Sequence, residues 1–254
     1  MIRILAIGNS FSVDALCYFK QIADAAGVDT ECVNLYIGGC TLERHAANIR
    51  NDTADYERYY NGVATGRKIS CREALLEQRW DIVTVQQASH DSGIPETYEP
   101  YGSQVLNYVK ETAPQARVWF HRTWAYEHGS NHIFFPRYGC DQETMFRSLQ
   151  AASADFALRH DLPVIPSGDV IQALRGFPEF DVRRGGVSLC SDGFHMSHDY
   201  GRYAVASTWV EMLTGADVRG NSFRTEQMRG DYLTLIQNTV HRICAAQKKK
   251  HDEA

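Results

Sequence analysis

The feature that most constrains the fold is a regular alternation of short apolar runs with segments of helical periodicity. The runs predict parallel strands, and the segments in which apolar residues recur every three or four positions predict helices. Parallel strands need crossover connections, and the crossing helices cover both faces of the sheet. We therefore expect an α/β protein with three layers (α/β/α) around a mostly parallel five-stranded sheet. The predicted strands are 3–7, 30–37, 81–86, 117–121 and 163–165, and the predicted helices are 12–26, 70–79, 97–112, 142–160, 198–214 and 224–246.

The length and composition fit one globular domain. The chain has 254 residues, of which 44% are hydrophobic and 22% are charged, an ordinary balance for a soluble globular enzyme. No internal repeat, low-complexity segment or linker rich in proline and serine divides it. We expect a single domain over residues 1–246, followed by a polar tail over residues 247–254. The lysines at 248–250 are expected to form a solvated helix end near the negative pole of the helix dipole.

Charge, hydropathy and cysteine content disfavour several classes of partner and location. A net charge of −5 argues against a nucleic-acid partner or an anionic membrane surface. No stretch approaches the roughly 18 consecutive apolar residues of a membrane span, and residues 1–9 are predicted as a buried strand, not as a signal peptide. The expected location is therefore cytoplasmic. The seven cysteines are scattered and form no CxxC pair, so we expect free thiols and neither a disulfide framework nor a zinc site.

A serine stands at the junction between the first predicted strand and the first predicted helix. The strand ends at Gly8, Ser10 follows two residues later, and Ser12 is the predicted N-cap of the helix. Unpaired backbone N–H groups and the positive end of the helix dipole meet at such a junction. This environment suits a nucleophile whose reaction develops a negative charge on oxygen. A serine in this position also often serves only as a helix cap.

An aspartate and a histidine far along the chain supply the groups that an activated serine needs. Asp192 and His195 are three residues apart, so on one tight turn the carboxylate can orient the imidazole, which can then take the proton of Ser10. Gly39 can offer a backbone N–H to an oxyanion because no side chain blocks the approach. Each of these signals is weak alone, and the hypothesis depends on their joint occurrence at strand ends.

The carboxyl ends of neighbouring parallel strands bring distant segments together. In an open α/β sheet, ligands bind beyond these ends, where the strand order reverses. Ser10 follows the first predicted strand, residues 38–39 follow the second, and residues 86–87 close the third. The irregular loop 124–139, with its aromatic residues and two histidines, follows the fourth, and a loop of that length is usually functional or mobile. We expect all four segments to converge on one edge of the sheet.

Three blocks of the chain resemble the SGNH (GDSL-type) hydrolase superfamily. Gly8-Asn9-Ser10 resembles the first block, in the branch that reads G-N-S-F-S. Residues 37–42 resemble the second block, and residues 191–195, continued by Tyr200-Gly201-Arg202-Tyr203, resemble the last. The likeness extends from residue 2 to about residue 215. It implies a flavodoxin-like three-layer fold, a triad of Ser10, His195 and Asp192, Gly39 as an oxyanion donor, and ester hydrolysis without a metal or an organic cofactor.

One block departs from the pattern of the family. SGNH hydrolases usually carry G-x-N-D after the third strand, and the asparagine side chain is a third oxyanion donor. Residues 80–91 occupy that region here, and an ungapped match places His90 in the asparagine column. A different local path would bring in Gln87, whose amide is the closer chemical substitute. Both residues are therefore candidates for the third donor.

The sequence thus predicts a serine-dependent esterase. Ser10 would attack an ester carbonyl, and His195, oriented by Asp192, would carry its proton to the leaving alcohol. The resemblance favours a short acyl ester of a small molecule or carbohydrate, with an O-acetyl group on a carbohydrate as the preferred substrate. The loop 124–139 would then shape the leaving-group side of the site.

Two other functions are compatible with parts of the sequence. A metal-dependent hydrolase could use the His128/His132 pair or the cluster 192–199, although the pair lacks the glutamate of HExxH and stands in a poor helix sequence. More ordinary places for His121, His128 and His132 are a pocket wall or an exposed loop. A non-catalytic carbohydrate-binding protein could stack sugars on the aromatic residues of the loop, Trp124, Tyr126, Phe134, Phe135 and Tyr138. Nucleotide binding is disfavoured, because no G-x-G-x-x-G occurs and the glycines of 62–68 follow no convincing strand.

Overall fold

The protein is built on one seven-stranded sheet. A computed structural model describes residues 1–252. The strand order is β4-β3-β2-β1-β5-β6-β7; β2, β1, β5, β6 and β7 are parallel, and β3 and β4 are antiparallel additions beside β2. All five predicted parallel strands are present, but the predicted total of five is wrong. The strands are β1 (Ile2–Gly8), β2 (Thr30–Tyr36), β3 (Tyr56–Tyr60), β4 (Val63–Ile69), β5 (Ile82–Val85), β6 (Arg117–His121) and β7 (Val164–Ile165).

The two unpredicted strands form a hairpin with a two-residue turn. Tyr60 pairs with Val63, and the turn residues Asn61 and Gly62 have φ angles of 46° and 82°. A turn with two positive φ angles suits the right-handed twist of a hairpin, and Asn-Gly is its preferred sequence. The glycines of 62–68 therefore do follow a strand, contrary to the sequence prediction. Strand β4 is exposed at every position except Ile69, so it lacks the apolar alternation that would have revealed it.

Nine α-helices are assigned within residues 1–252. The predicted helix 12–26 is divided into two, and the helices α3 and α7 were not predicted. The last helix continues to Asp252, into the predicted polar tail, whose residues 253–254 lie outside the described residues. The helices are α1 (Ser10–Leu16), α2 (Phe19–Ala25), α3 (Leu42–Arg50), α4 (Cys71–Glu77), α5 (Tyr101–Thr112), α6 (Gln142–Arg159), α7 (Ser167–Leu174), α8 (Gly201–Thr214) and α9 (Gly230–Asp252).

Helices cover the sheet on both faces, which confirms the three-layer α/β/α fold. Alternate residues of β1 enter different cores: Ile4 packs with Phe11 and Trp209 under α1 and α8, whereas Leu5 packs with Trp80 under α3, α4 and α5. Both faces of β1 are buried from Ile4 onward, and residues 4–7 are accordingly all apolar. This arrangement places the carboxyl ends of β1, β2, β5 and β6 at one edge of the sheet.

Two further features bear on the sequence predictions. All seven cysteines are unpaired, and five of them are buried. Among the helices described for residues 1–252, none combines the length and the hydropathy that a membrane crossing requires.

Candidate active site

Ser10 is the first residue of helix α1, directly beyond the end of β1. The N-cap is Asn9, whose Oδ1 accepts the backbone N–H of Phe11 at 3.0 Å. The prediction of Ser12 as the cap is wrong, because its hydroxyl donates to the Asn9 carbonyl at 2.8 Å and to Asn34 Oδ1 at 2.9 Å. Gly8 is required here, since an added Cβ would stand 2.3 Å from Ser12 Oγ. Within residues 1–252 the hydroxyl and the backbone N–H of Ser10 have no hydrogen-bond partner, so both are available to bind a ligand.

The side chain of Asn9 joins three strand ends. Its Nδ2 donates to the carbonyl of Cys40, and its Oδ1 also accepts Nε2 of Gln86 at 2.8 Å. Gln86 in turn accepts Nδ1 of His121 at 2.8 Å, and Nε2 of His121 lies 2.9 Å from Ser167 Oγ. His121 is therefore a buried network residue and not part of a pocket wall or loop. Burial lowers the pKa of His121 to about 3, so this histidine stays neutral while it fixes the turn before Ser10.

Asp192 and His195 form a hydrogen-bonded pair on one tight turn. Asp192 Oδ2 lies 2.7 Å from His195 Nδ1, and Oδ1 accepts the backbone N–H groups of Phe194 and His195 at 3.1 and 2.7 Å. Partial burial raises the pKa of Asp192, but these hydrogen bonds outweigh it and leave the pKa below its ordinary value. The turn needs Gly193, which has a φ of 86°. An ionised carboxylate thus holds Nδ1 of His195, and Nε2 remains available as a base.

The histidine turn is held against the first turns of helix α1. The rings of Phe11 and His195 meet edge to face with centroids 6.1 Å apart. The buried carboxylate of Asp14 accepts the Met196 backbone N–H at 2.7 Å and pairs with Arg202 at 2.9 Å. Burial raises the pKa of Asp14 to about 6, against the opposing effects of Arg202 and the Met196 N–H. Asp14 lies one turn after Ser10 in helix α1, but it was not predicted as a site residue.

Ser10 and His195 are therefore brought to the same helix terminus without a hydrogen bond between them. The ring of Phe11, the next residue after Ser10, touches the imidazole. The serine hydroxyl is nevertheless unbonded within the described part of the chain. Catalytic hydrogen bonds are often long in a free enzyme and shorten when substrate binds. The arrangement places a serine hydroxyl and a histidine paired with a carboxylate near one helix N-terminus.

Of the two candidates for a third oxyanion donor, His90 lies beside Gly39, the glycine that the sequence predicts as another donor. Gly39 has a φ of 58°, and His90 Cε1 is 3.9 Å from the position that a Cβ on Gly39 would take. The amide of Gln87 is used elsewhere: Oε1 accepts the N–H of Leu42 and of Ala88, and Nε2 donates to Thr97. Burial lowers the pKa of His90. The neutral imidazole keeps one N–H, which can act as a donor.

The loop 124–139 forms one wall of the site. His132 meets Phe194 edge to face with centroids 4.6 Å apart, and Phe134 stacks on His90 at 4.7 Å. The backbone N–H of Glu127 donates to the Gly193 carbonyl at 2.8 Å, which fixes the loop to the histidine turn. The other aromatic residues of the loop face inward and belong to the core: Trp124, Tyr126, Phe135 and Tyr138. Stacking of sugars on these four is therefore not possible, which weakens the hypothesis of a carbohydrate-binding loop.

The residues of the alternative metal hypothesis do not form a group of three possible ligands within residues 1–252. His128 is exposed, and Nε2 of His132 lies 3.3 Å from the Tyr126 hydroxyl. In the part of the chain that the structure describes, one group of three side chains could hold a metal ion, and it contains none of the proposed histidines. That group lies between α8 and the α9 helix and consists of Glu211, Asp217 and His241.

The fold is the one shared by SGNH and GDSL hydrolases. A candidate SGNH hydrolase from Slackia heliotrinireducens gives a TM-score of 0.57 at 20% identity, covering 84% of this chain and 98% of that chain. A catalytic mutant of an acetylxylan esterase from Geobacillus stearothermophilus gives a TM-score of 0.51 at 14% identity, covering 83% and 93%. Identities this low show a common fold and nothing more.

The chain belongs to the DUF4886 family, a domain family of unknown function, which matches residues 3–243. The crystal structure of a DUF4886 family protein from Bacteroides uniformis ATCC 8492 is similar to it, with a TM-score of 0.89 and 34% identity over 96% of this chain and 95% of that chain. A comparison with curated proteins finds no match.

Proposed function

We propose that this protein is a serine-dependent esterase that hydrolyses short acyl esters, with O-acetyl groups on carbohydrates as the preferred substrate. One observation carries the proposal: the Asp192–His195 pair, bonded at 2.7 Å, is fixed beside the helix terminus that presents Ser10. Within residues 1–252 the backbone N–H groups of Ser10 and Gly39 have no hydrogen-bond partner, and they lie at the ends of neighbouring strands β1 and β2. These are the groups that an acyl transfer through a serine requires.

The proposed reaction has two half-reactions. Ser10 Oγ attacks the ester carbonyl while Nε2 of His195 takes its proton, and the N–H groups of Ser10 and Gly39, with His90, stabilise the oxyanion. The tetrahedral intermediate expels the alcohol, which receives the proton from His195, and an acyl-serine remains. Water, deprotonated by His195, then attacks the acyl group, and Ser10 recovers its proton as the carboxylic acid leaves. Asp192 stabilises the imidazolium in both steps and stays ionised.

The preference for acetylated carbohydrate has weaker support. The acetylxylan esterase from Geobacillus stearothermophilus shares the fold at 14% identity, and substrate is not inherited with a fold. The exposed Gly38-Gly39 turn leaves room beside the nucleophile. A short acyl group is compatible with the crowding of Phe194 and His132 around His195.

The test compares p-nitrophenyl acetate and butyrate hydrolysis by the wild type, Ser10→Ala and His195→Ala. Either substitution is expected to lower kcat by about 10⁴-fold or more, because nucleophile and base act as a unit. Ser148→Ala and His128→Ala are matched controls, because Ser148 is partly exposed and His128 is exposed, and they should leave the rate unchanged. Full activity in Ser10→Ala, or activity that EDTA abolishes while Ser10→Ala retains it, would refute the serine mechanism.

A further inference from the structure

A pair of tyrosines extends from the Gly38-Gly39 turn, on the side of the site opposite the loop 124–139. Tyr36 ends strand β2, and its hydroxyl is 3.3 Å from the position of a Cβ on Gly38. Tyr59 comes from the added strand β3, and the two rings meet edge to face with centroids 5.6 Å apart. Both side chains are partly exposed. The hairpin that widens the sheet beyond five strands therefore adds an aromatic surface to the candidate active site.

The strand register places this pair on the same face as the nucleophile helix. Residues paired across neighbouring strands have side chains on the same face of the sheet. Tyr59 pairs with Asn34 and Tyr36 pairs with Glu57. Asn34 accepts the hydroxyl of Ser12 in helix α1 at 2.9 Å. The tyrosine pair and Ser10 are thus on one side of the sheet, separated by the first turn of α1.

The tyrosine pair has unused binding capacity. In residues 1–252 neither hydroxyl makes a hydrogen bond, and neither ring stacks on any ring but its partner. Phe134 on the opposite wall differs, because its ring already stacks on His90 and carries the Arg137 guanidinium 4.5 Å from its centroid. Partly exposed aromatic rings with free hydroxyls are enriched where a ligand has both an apolar face and polar edges.

Two charged residues act on the tyrosine pair. Glu57 stands beside Tyr36 on the same face, and the charge of Arg202 acts on Tyr59, where it lowers a pKa that burial and Glu57 raise. Arg202 is the residue that pairs with Asp14 below the histidine turn. A ligand on the tyrosines would therefore lie beside the Glu57 carboxylate, which can accept hydrogen bonds from hydroxyl groups.

We propose that Tyr36 and Tyr59 form a subsite for a pyranose ring, the carbohydrate that carries the ester cleaved at Ser10. A pyranose has a C–H face that packs on an aromatic ring and equatorial hydroxyls that bond to phenol and carboxylate groups. The inference rests on the proposed esterase function and adds the residues that select a sugar as the leaving group. The ester oxygen would lie over the Gly38-Gly39 turn, between the sugar on this pair and the nucleophile.

The test compares two acetate esters with different leaving groups. Acetylated xylo-oligosaccharides can reach the tyrosines, whereas the ethanol of ethyl acetate is too small, and acid release in a pH-stat measures both reactions. Tyr36→Ala and Tyr59→Ala are expected to lower kcat/KM for the oligosaccharides by about three- to tenfold, mainly through KM, and to leave ethyl acetate unchanged. Tyr60→Ala is the matched control: it is an exposed neighbour on the opposite face of β3.

Several results would overturn the subsite. Equal losses on both esters would indicate a structural role, and no loss on either would show that the tyrosines do not touch the sugar. Calorimetric titration of Ser10→Ala with acetylated xylo-oligosaccharides separates this proposal from the proposed function. Binding that Tyr59→Ala weakens supports the subsite even if hydrolysis is absent. If the protein hydrolyses ethyl acetate but neither binds nor cleaves the oligosaccharide, the esterase proposal stands and the subsite is refuted.

Discussion

Replacement of Asp14 by alanine is the sharpest structural test of how the site is assembled. The substitution removes the acceptor of the Met196 N–H and the partner of Arg202. An orphaned buried N–H costs about 1–3 kcal/mol, and loss of one partner of a buried ion pair costs about 3–5 kcal/mol. The Arg202 side chain is 20% exposed, so water can compensate part of the second cost. We expect a loss of about 2–4 kcal/mol in the free energy of unfolding.

The same substitution should reduce activity more than stability alone explains. Met196 follows His195, so release of its backbone allows the imidazole to move, and a displacement of about 1 Å can cost about 10²-fold in rate. Urea unfolding followed by tryptophan fluorescence measures stability, and p-nitrophenyl acetate hydrolysis measures kcat on the folded fraction. Asp24→Ala is the control, because Asp24 pairs with Lys20 on an exposed helix surface. Its effect should stay within about 0.5 kcal/mol. If Asp14→Ala leaves both the free energy of unfolding and kcat unchanged, Asp14 does not hold the turn that carries His195.

Two further predictions concern ionisation and the third donor. The pKa of Asp14 is about 6 in the folded protein against an ordinary 3.8, so the folded state binds this proton more tightly than the unfolded state. The free energy of unfolding of the wild type, relative to that of Asp14→Asn, should therefore fall as pH rises from about 4 to 6. A difference between the two urea midpoints that stays constant over that pH range would contradict this. His90→Ala should lower kcat by about 10-fold or more with little change in unfolding, as removal of an oxyanion donor does. Gln87→Ala should lower stability by about 1–3 kcal/mol, and the reverse pattern would make Gln87 the donor.

The parallel strands were predictable because each is largely buried on both faces and rich in apolar residues. The hairpin was not predicted, since exposed β4 has no alternation, although Asn61-Gly62 between two β-prone segments was the available signal. Helix α7 follows Pro166 directly and was too short to show a clear period. Local periodicity thus revealed the elements whose burial is regular and missed those at the edges.

The candidate site was predictable where its contacts join residues close in sequence, and not where they join residues far apart. Asp192 and His195 are three residues apart, so their bond follows from one turn. Asp14 and Met196 are 182 residues apart, and no pattern in either segment indicates that they meet. The choice between Gln87 and His90 as the proposed donor depended on the path of one loop, in which the Gln87 amide bonds to Thr97.

Covalent labelling tests most directly whether Ser10 is an activated nucleophile. The protein is incubated with diisopropyl fluorophosphate, which a serine activated by a neighbouring base attacks with loss of fluoride, and intact and peptide masses are then recorded. We expect a single adduct on the peptide that contains Ser10, absent in Ser10→Ala and formed much more slowly in His195→Ala. An adduct on another residue, or no adduct in a preparation that hydrolyses esters, would contradict it.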